Sequence, residues 1–214
     1  MIIDVSYFYN GELAIPNIKT LASISDNLPK SNDDVTAIIN RYERELLVNA
    51  LGFENYTELS TQFEGVELKT DALEKWKDLV NGKTYIKNGV TYRWYGLRQH
   101  DVKESLVAYY VYYHYLYKDA ARYTGTGMQR EQGKGSNEVD PMPKLVDVWR
   151  QFIDKYQGVN NTHPTLITTN YGFGVDWLGS NRGSFVSLYQ YLVDNDEYGD
   201  YEFNAYGNLN KFGI

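Results

Sequence analysis

Leu106-Val-Ala-Tyr-Tyr-Val-Tyr-Tyr-His-Tyr-Leu116 is the stretch whose reading decides the fold. Val102, Leu106, Tyr110, Tyr113, Tyr117 and Ala120 fall at spacings of three and four, the period of one helix face. Tyr109, Tyr112, Leu116 and Tyr123 make a second stripe beside it. Two adjacent stripes predict a helix over about 97–123 that is buried around much of its circumference. Lys103, His114, Lys118 and Arg122 mark the narrower polar face. A helix of that kind is a central element, so the expected class is mainly α, a helical bundle built around it.

Upstream, Ser31 with Asp34 three residues later resembles a capping box. Val35, Ile38, Ile39, Tyr42, Leu46 and Ala50 then keep helical spacing, Asp33 and Asp34 suit the helix dipole, and Gly52 fits a left-handed stop. A shorter helix is expected over 54–63. Another is expected over 70–81, with Thr70 as N-cap, an apolar face of Leu73, Trp76 and Leu79 or Val80, and Gly82 as stop. Next, Thr84-Tyr-Ile-Lys87 and Val90-Thr-Tyr-Arg-Trp94 flank Asn88-Gly89, the signature of a two-residue hairpin turn over about 84–94.

Downstream, the glycine-rich polar stretch 124–140 reads as a loop ordered by a partner or mobile. Asp140-Pro141 then opens a helix over 141–157 with Leu145, Val148, Trp149, Phe152 and Tyr156 on its apolar face, stopped by Gly158. Residues 158–214 are rich in Asn, Gly and Tyr, with one helix expected over 184–194. The first residues hold Asn10-Gly11 and read as a hairpin or an extended arm, with a helical turn or two over 17–28. The expected organisation is an N-terminal arm over 1–30, a helical core over 31–157, and a C-terminal extension over 158–214.

The bulk numbers narrow the functional classes. The chain has 214 residues, a formal net charge of −7 and no cysteine. Disulfides, thiol catalysis and cysteine-held metals are therefore excluded. The negative balance argues against a free nucleic-acid binder. The opening residues lack the basic start and apolar run of a secretory leader, and no stretch is long enough to span a bilayer, so folding in the cytoplasm is expected. Twenty-one tyrosines are the unusual feature: a large apolar ring with one polar tip suits a core or a surface buried against a partner.

Catalytic and metal-binding motifs are missing. His100, His114 and His163 share no ligand spacing. Gly127 to Ser136 imitates a phosphate-binding loop, but five residues separate Gly127 from Gly133, and Gly135 follows Lys134 where a hydroxyl belongs. No Gly-x-Ser-x-Gly elbow occurs. The acids Asp194, Asp196, Glu197 and Asp200 read as a solvated run. No catalytic residue, cofactor or metal is expected.

Taken in order, Val35 to Phe53, Trp76-Lys-Asp-Leu-Val-Asn-Gly82, the hairpin ending Arg93-Trp-Tyr-Gly96-Leu, the tyrosine-rich helix, the polar loop, and Lys144-Leu-Val-Asp-Val-Trp149-Arg-Gln-Phe152 resemble the head–tail connector (adaptor) proteins of tailed bacteriophages and prophages. The likeness lies in element order and aromatic placement over 31–157. It implies a structural virion protein, made in the host cytoplasm, that forms a homo-oligomeric ring in the phage neck. Such a ring docks on the portal protein, meets the next neck or tail protein, and passes DNA through its lumen without reading sequence; no membrane is involved. The candidate assembly contacts are Asn88, Gly89 and Trp94 of the hairpin, Gly127, Arg130 and Lys134 of the loop, and Tyr198, Tyr201, Phe203, Tyr206 and Phe212 of the tail. Two other readings stay open: a carbohydrate- or receptor-binding module using exposed Tyr and Trp, and a carboxylate-based hydrolase, for which two converging carboxylates in one pocket would be the sign.

Overall fold

A computed structural model describes residues 1–15, 18, 32–120, 122–124, 127–129, 141–158, 185–199 and 201–207. Among these residues the architecture is mainly α with small antiparallel strand pairs. The elements run α1 (Asn32–Thr61), β1 (Phe63–Glu64), β2 (Glu67–Leu68), α2 (Glu74–Asn81), β3 (Lys83–Lys87), β4 (Val90–Trp94), β5 (Arg98–Gln99), β6 (Glu104–Ser105), α3 (Leu106–Ala120), β7 (Arg122–Thr124), β8 (Gly127–Gln129), α4 (Met142–Tyr156) and α5 (Leu188–Asp194). Each strand pairs only with its sequence neighbour, β1 with β2, β3 with β4, β5 with β6 and β7 with β8.

The helix α3 is buried around its first two turns, while Tyr117, expected in the same apolar stripe, is 63 % exposed. Leu106 through Tyr112 are consecutively buried, and the helix lies against both α1 and α4. Its start differs from the expected 97. Residues 98–105 instead form the tight β5–β6 pair, with Lys103 in the left-handed region at φ +54°. Ser105 is the cause: its hydroxyl donates to the Leu97 carbonyl at 2.7 Å and accepts from the Val107 and Ala108 amides, capping the helix there. Val102, placed by spacing in the apolar stripe, is therefore 69 % exposed. The helix also closes at Ala120, and Tyr123 belongs to β7.

Gly52 interrupts α1 at φ +79°, ψ +163°, where the sequence separates two helices. The hairpin β3–β4 pairs Lys83 with Trp94 and Lys87 with Val90 around Asn88-Gly89, both in the left-handed region at +52° and +77° that this turn demands. The helix expected over 70–81 begins at Glu74 and not after Thr70: the Ala72 amide donates to the Lys69 carbonyl in a turn, and Leu73, expected on the apolar face, is instead the extended, half-exposed N-cap whose amide donates to the Gln62 side chain. α4 and α5 run close to their expected spans. The Ser31–Asp34 capping box, the turn over 17–28 and most of the 124–140 loop fall outside the described residues and side chains.

The described residues near each end are not the extended arm that composition suggests. Ile2, Ile3, Tyr7, Phe8, Leu13 and Ile15 are buried in the same core as α1, α3 and α4. Their apolar area stabilises the chain by about 25 cal/mol per Å² when it leaves water, which no solvated arm recovers. Buried Glu43 of α1 accepts the Ile2 and Ile3 amides at 2.9 and 3.2 Å, and buried Arg98 donates to the Ile2 carbonyl at 2.7 Å. At the other end, Tyr206 donates its hydroxyl to Tyr110 and accepts from Asn49 at 2.8 Å, while its backbone pairs twice with the Gln157 side chain. Phe203 stacks on Tyr156 at 4.5 Å. The tail lacks helical periodicity, yet isolated rings need no helix to fill a core.

Candidate functional site

The hairpin is fixed at its base and free at its tip. The indole of Trp94 and the amide of Leu97 both donate to the Leu79 carbonyl, at 2.8 and 3.1 Å, satisfying an acceptor in the last turn of α2. Gly82 and Gly96 let the chains approach that closely: a Cβ on Gly96 would lie 2.5 Å from the Val80 carbonyl oxygen. Tyr85 and Lys87 both reach the Asp194 carboxylate of α5 at 2.7 Å. Beyond these ties the tip stands clear. Among the described residues nothing lies within 4 Å of a Cβ built on Gly89, and Ile86 and Val90 are 73 % and 49 % exposed.

A second feature is concave. The N-terminal segment, the β5–β6 turn, α3 and α4 enclose a cleft of about 480 Å³. Glu12 and Glu104 both line it, so two carboxylates from distant parts of the sequence do converge there. Glu12 accepts from Tyr109 at 3.1 Å and Gln151 at 2.6 Å, and pairs with Lys144 at 3.5 Å. Glu104 faces the ammonium of Lys155 at 3.8 Å, and that ammonium lies 4.6 Å from the centre of the Tyr109 ring. Lys155 is only 5 % exposed. Burial lowers the Lys155 ammonium pKa against the pull of Glu104, and burial raises the Glu104 carboxyl, helped by Glu12. Val102 and Lys103 form part of the lining on the β5–β6 turn.

No family model, curated protein or solved structure matches the chain.

The structure separates the expected contact residues into three groups. Asn88 and Gly89 lie at the exposed tip, and Gly127 opens β8 opposite Thr124. Trp94 and Tyr198 are core residues at 2 % exposure: Trp94 stacks on Tyr191, and the Tyr198 hydroxyl donates to the Lys75 carbonyl at 2.9 Å. Tyr201, Phe203 and Tyr206 are half-buried against the same core. Arg130, Lys134 and Phe212 lie outside the described residues. The carbohydrate-module reading drew on exposed tail tyrosines, and the described ones are largely spent on packing.

Sequence reasoning missed the cleft. One signal was available: Lys155 follows Val148 and Phe152 at spacings of seven and three, which puts a cation on the buried face of α4. Glu12 and Glu104 carry no such mark. Among the described residues, no three metal-ligating side chains come together, and no helix is long and apolar enough to cross a membrane.

Proposed function

We propose that the chain is a structural subunit of a tailed-phage neck, a head–tail connector that forms a ring on the portal and continues the DNA channel into the tail. The observation that carries this reading is the β3–β4 hairpin, anchored at its base to α2 and along its inner face to α5, with apolar Ile86 and Val90 left in solvent at the tip. In an assembly, a neighbouring subunit would bury these two side chains, one on each face of the projecting turn. The element order, with α3 in contact with both α1 and α4, supports the same reading. In this reading the portal and the next neck or tail protein cover the two faces of the ring, the protein resides in the virion, and the net charge of −7 lets DNA slide past without adhering. Electron microscopy of the purified protein, alone and mixed with portal assemblies, tests it. Rings or portal-bound annuli are expected; a chain that stays monomeric and ignores portals sinks the proposal.

The cleft favours one rival, carboxylate-based hydrolysis, because Glu12 and Glu104 share it. Both acids are engaged by cations or donors of the chain itself, which leaves neither poised as an unencumbered acid or base. Turnover of glycoside or ester substrates that is lost in Glu104→Gln would establish this alternative.

A further inference from the structure

The neck reading makes no use of the cleft that the N-terminal segment, the β5–β6 turn, α3 and α4 enclose. Its floor is polar. Tyr7, Tyr109 and Lys155 lie there buried, while Asn10, Gly11 and Val102 stand exposed at the rim. An apolar ligand would cut the floor off from water and put nothing polar in its place, which is costly for buried polar groups.

The charges of the lining cancel. Glu12 and Glu104 supply two carboxylates, and Lys103 and Lys155 supply two ammoniums. Each acid already faces a cation of the chain, Glu12 with Lys144 at 3.5 Å and Glu104 with Lys155 at 3.8 Å. A charged ligand would lose its hydration here without meeting an opposite charge in want of a partner. A neutral ligand avoids that loss, and what the cleft offers it is hydrogen bonding. The pair with Lys155 uses Oε1 of Glu104, and among the described residues Oε2 is left to accept. Gln151 spends its amide nitrogen on Glu12 and Asp147 and keeps its carbonyl oxygen as an acceptor. The Lys103 ammonium meets His100 Nε2 at 3.4 Å and has three N–H groups to give. Lys103 is also an unexpected residue for its backbone. At φ +54° a glycine or asparagine would serve the turn with less strain, whereas lysine places an ammonium in the cleft wall, 5.1 Å from the centre of the Tyr7 ring. Donors and acceptors interleaved in one lining match groups that do both, such as the hydroxyls of a sugar.

We propose that this cleft binds a neutral sugar ring, held through its hydroxyls by Glu104, Gln151 and Lys103. The proposal stands apart from the ring reading, which neither requires nor opposes it. A volume of about 480 Å³ lies within the range of small-ligand sites and accommodates one hexose. The site is preformed: Glu12 is fixed by Tyr109 and Gln151, and Glu104 by Lys155, so binding orders little. The pairing that keeps either acid from serving as a catalyst holds its oxygens in place as acceptors.

Ligand-observed NMR titration of the full chain tests this. The probes are glucose, galactose, mannose and N-acetylglucosamine, with the corresponding uronic acids and amino sugars as charged counterparts. At least one neutral sugar is expected to bind with a dissociation constant of about 1 mM or tighter, and its charged counterparts about ten-fold more weakly. Methyl glycosides of the bound sugar separate two sources: undiminished binding marks the end of a glycan, and exclusion marks the free sugar. Gln151→Ala removes one acceptor from a half-exposed position and is expected to weaken binding about ten-fold at an unchanged melting temperature. Lys103→Gly relaxes the left-handed position, so it is expected to weaken binding with no loss of melting temperature, a combination that a purely structural lysine would not produce. The proposal is overturned by a folded protein that binds no neutral sugar at about 10 mM. It is equally overturned by tighter binding of a charged counterpart, or by unchanged affinity in both variants. Assembly is scored separately by microscopy, so each of these results leaves the ring reading as it stands.

Discussion

His114 shows how far one side chain departs from what its neighbours in sequence suggest. It sits on the face of α3 read as polar, yet its ring stacks on Tyr42 at 4.1 Å and meets Tyr110 edge-on at 4.5 Å. Among the described residues its buried Nε2 has no hydrogen-bond partner. Burial lowers its pKa to about 4, with Lys118 and Arg41 acting in the same sense and Glu45 opposing. In the unfolded chain the ring takes up a proton near pH 6.5; in the folded chain it does so only near 4. Between those values the unfolded state binds more protons, so stability falls as pH drops from 7 towards 4. The loss from this ring is about 1–2 kcal/mol, discounted for its partial exposure. His114→Phe keeps the stack and removes the orphaned nitrogen, so its stability at pH 7 is expected to be equal or slightly higher, and its urea-unfolding free energy to change less between pH 7 and 5. Parallel pH profiles for the two proteins would show the assignment to be wrong. The tyrosine stripes around His114 were legible from spacing alone. Its desolvation was not, because that depends on Tyr42, which lies 72 residues earlier in α1.

At the scale of elements, two glycines of similar backbone geometry have different jobs. Gly89 lies at φ +77° in open space, and Gly96 at φ +92° against the end of α2. Gly89→Ala strains only the turn and is expected to cost about 1 kcal/mol. Gly96→Ala drives a methyl into the Val80 carbonyl and the Gly82 amide, separates the hairpin base from α2, and is expected to cost about 3 kcal/mol or more. Urea titration of the two variants checks this, and equal midpoints would refute it. The sequence made the hairpin plain, since Asn88-Gly89 between alternating strands has few other uses. It disguised the start of α3, because Val102 matches helical spacing with Leu106 while Ser105, a ready N-cap, sits inside the same run. Spacing identifies a face; a cap fixes where the face begins.

For the whole molecule, the ends were the least legible part and proved to be structural. Charge and composition mark residues 194–207 as a tail, but Tyr198 packs on Trp76, and Phe203 and Tyr206 close the aromatic cluster of Tyr110, Trp149, Phe152 and Tyr156. Truncation after Gly199 exposes those rings and removes the partners of Asn49, Gln157 and the Trp149 indole. Such a chain is expected to melt well below the full one and to bind a dye for exposed apolar surface, whereas a dispensable arm would leave melting unchanged. The cleft was hidden for a related reason. Its walls come from segments about 45 to 140 residues apart, joined only by the tertiary fold.

The hydrogen bond between Asn49 and Tyr206 spans 157 residues of chain and has a consequence for synthesis. A ribosome delivers α1 first and the Tyr206 segment many seconds later, at ~5–20 residues per second. Until then α1, α3 and α4 can meet but cannot be sealed, and their tyrosine faces stay accessible to chaperones and to one another. The Tyr206 segment therefore acts as a latch on folding, so a nascent chain stalled before it is the species most prone to aggregate.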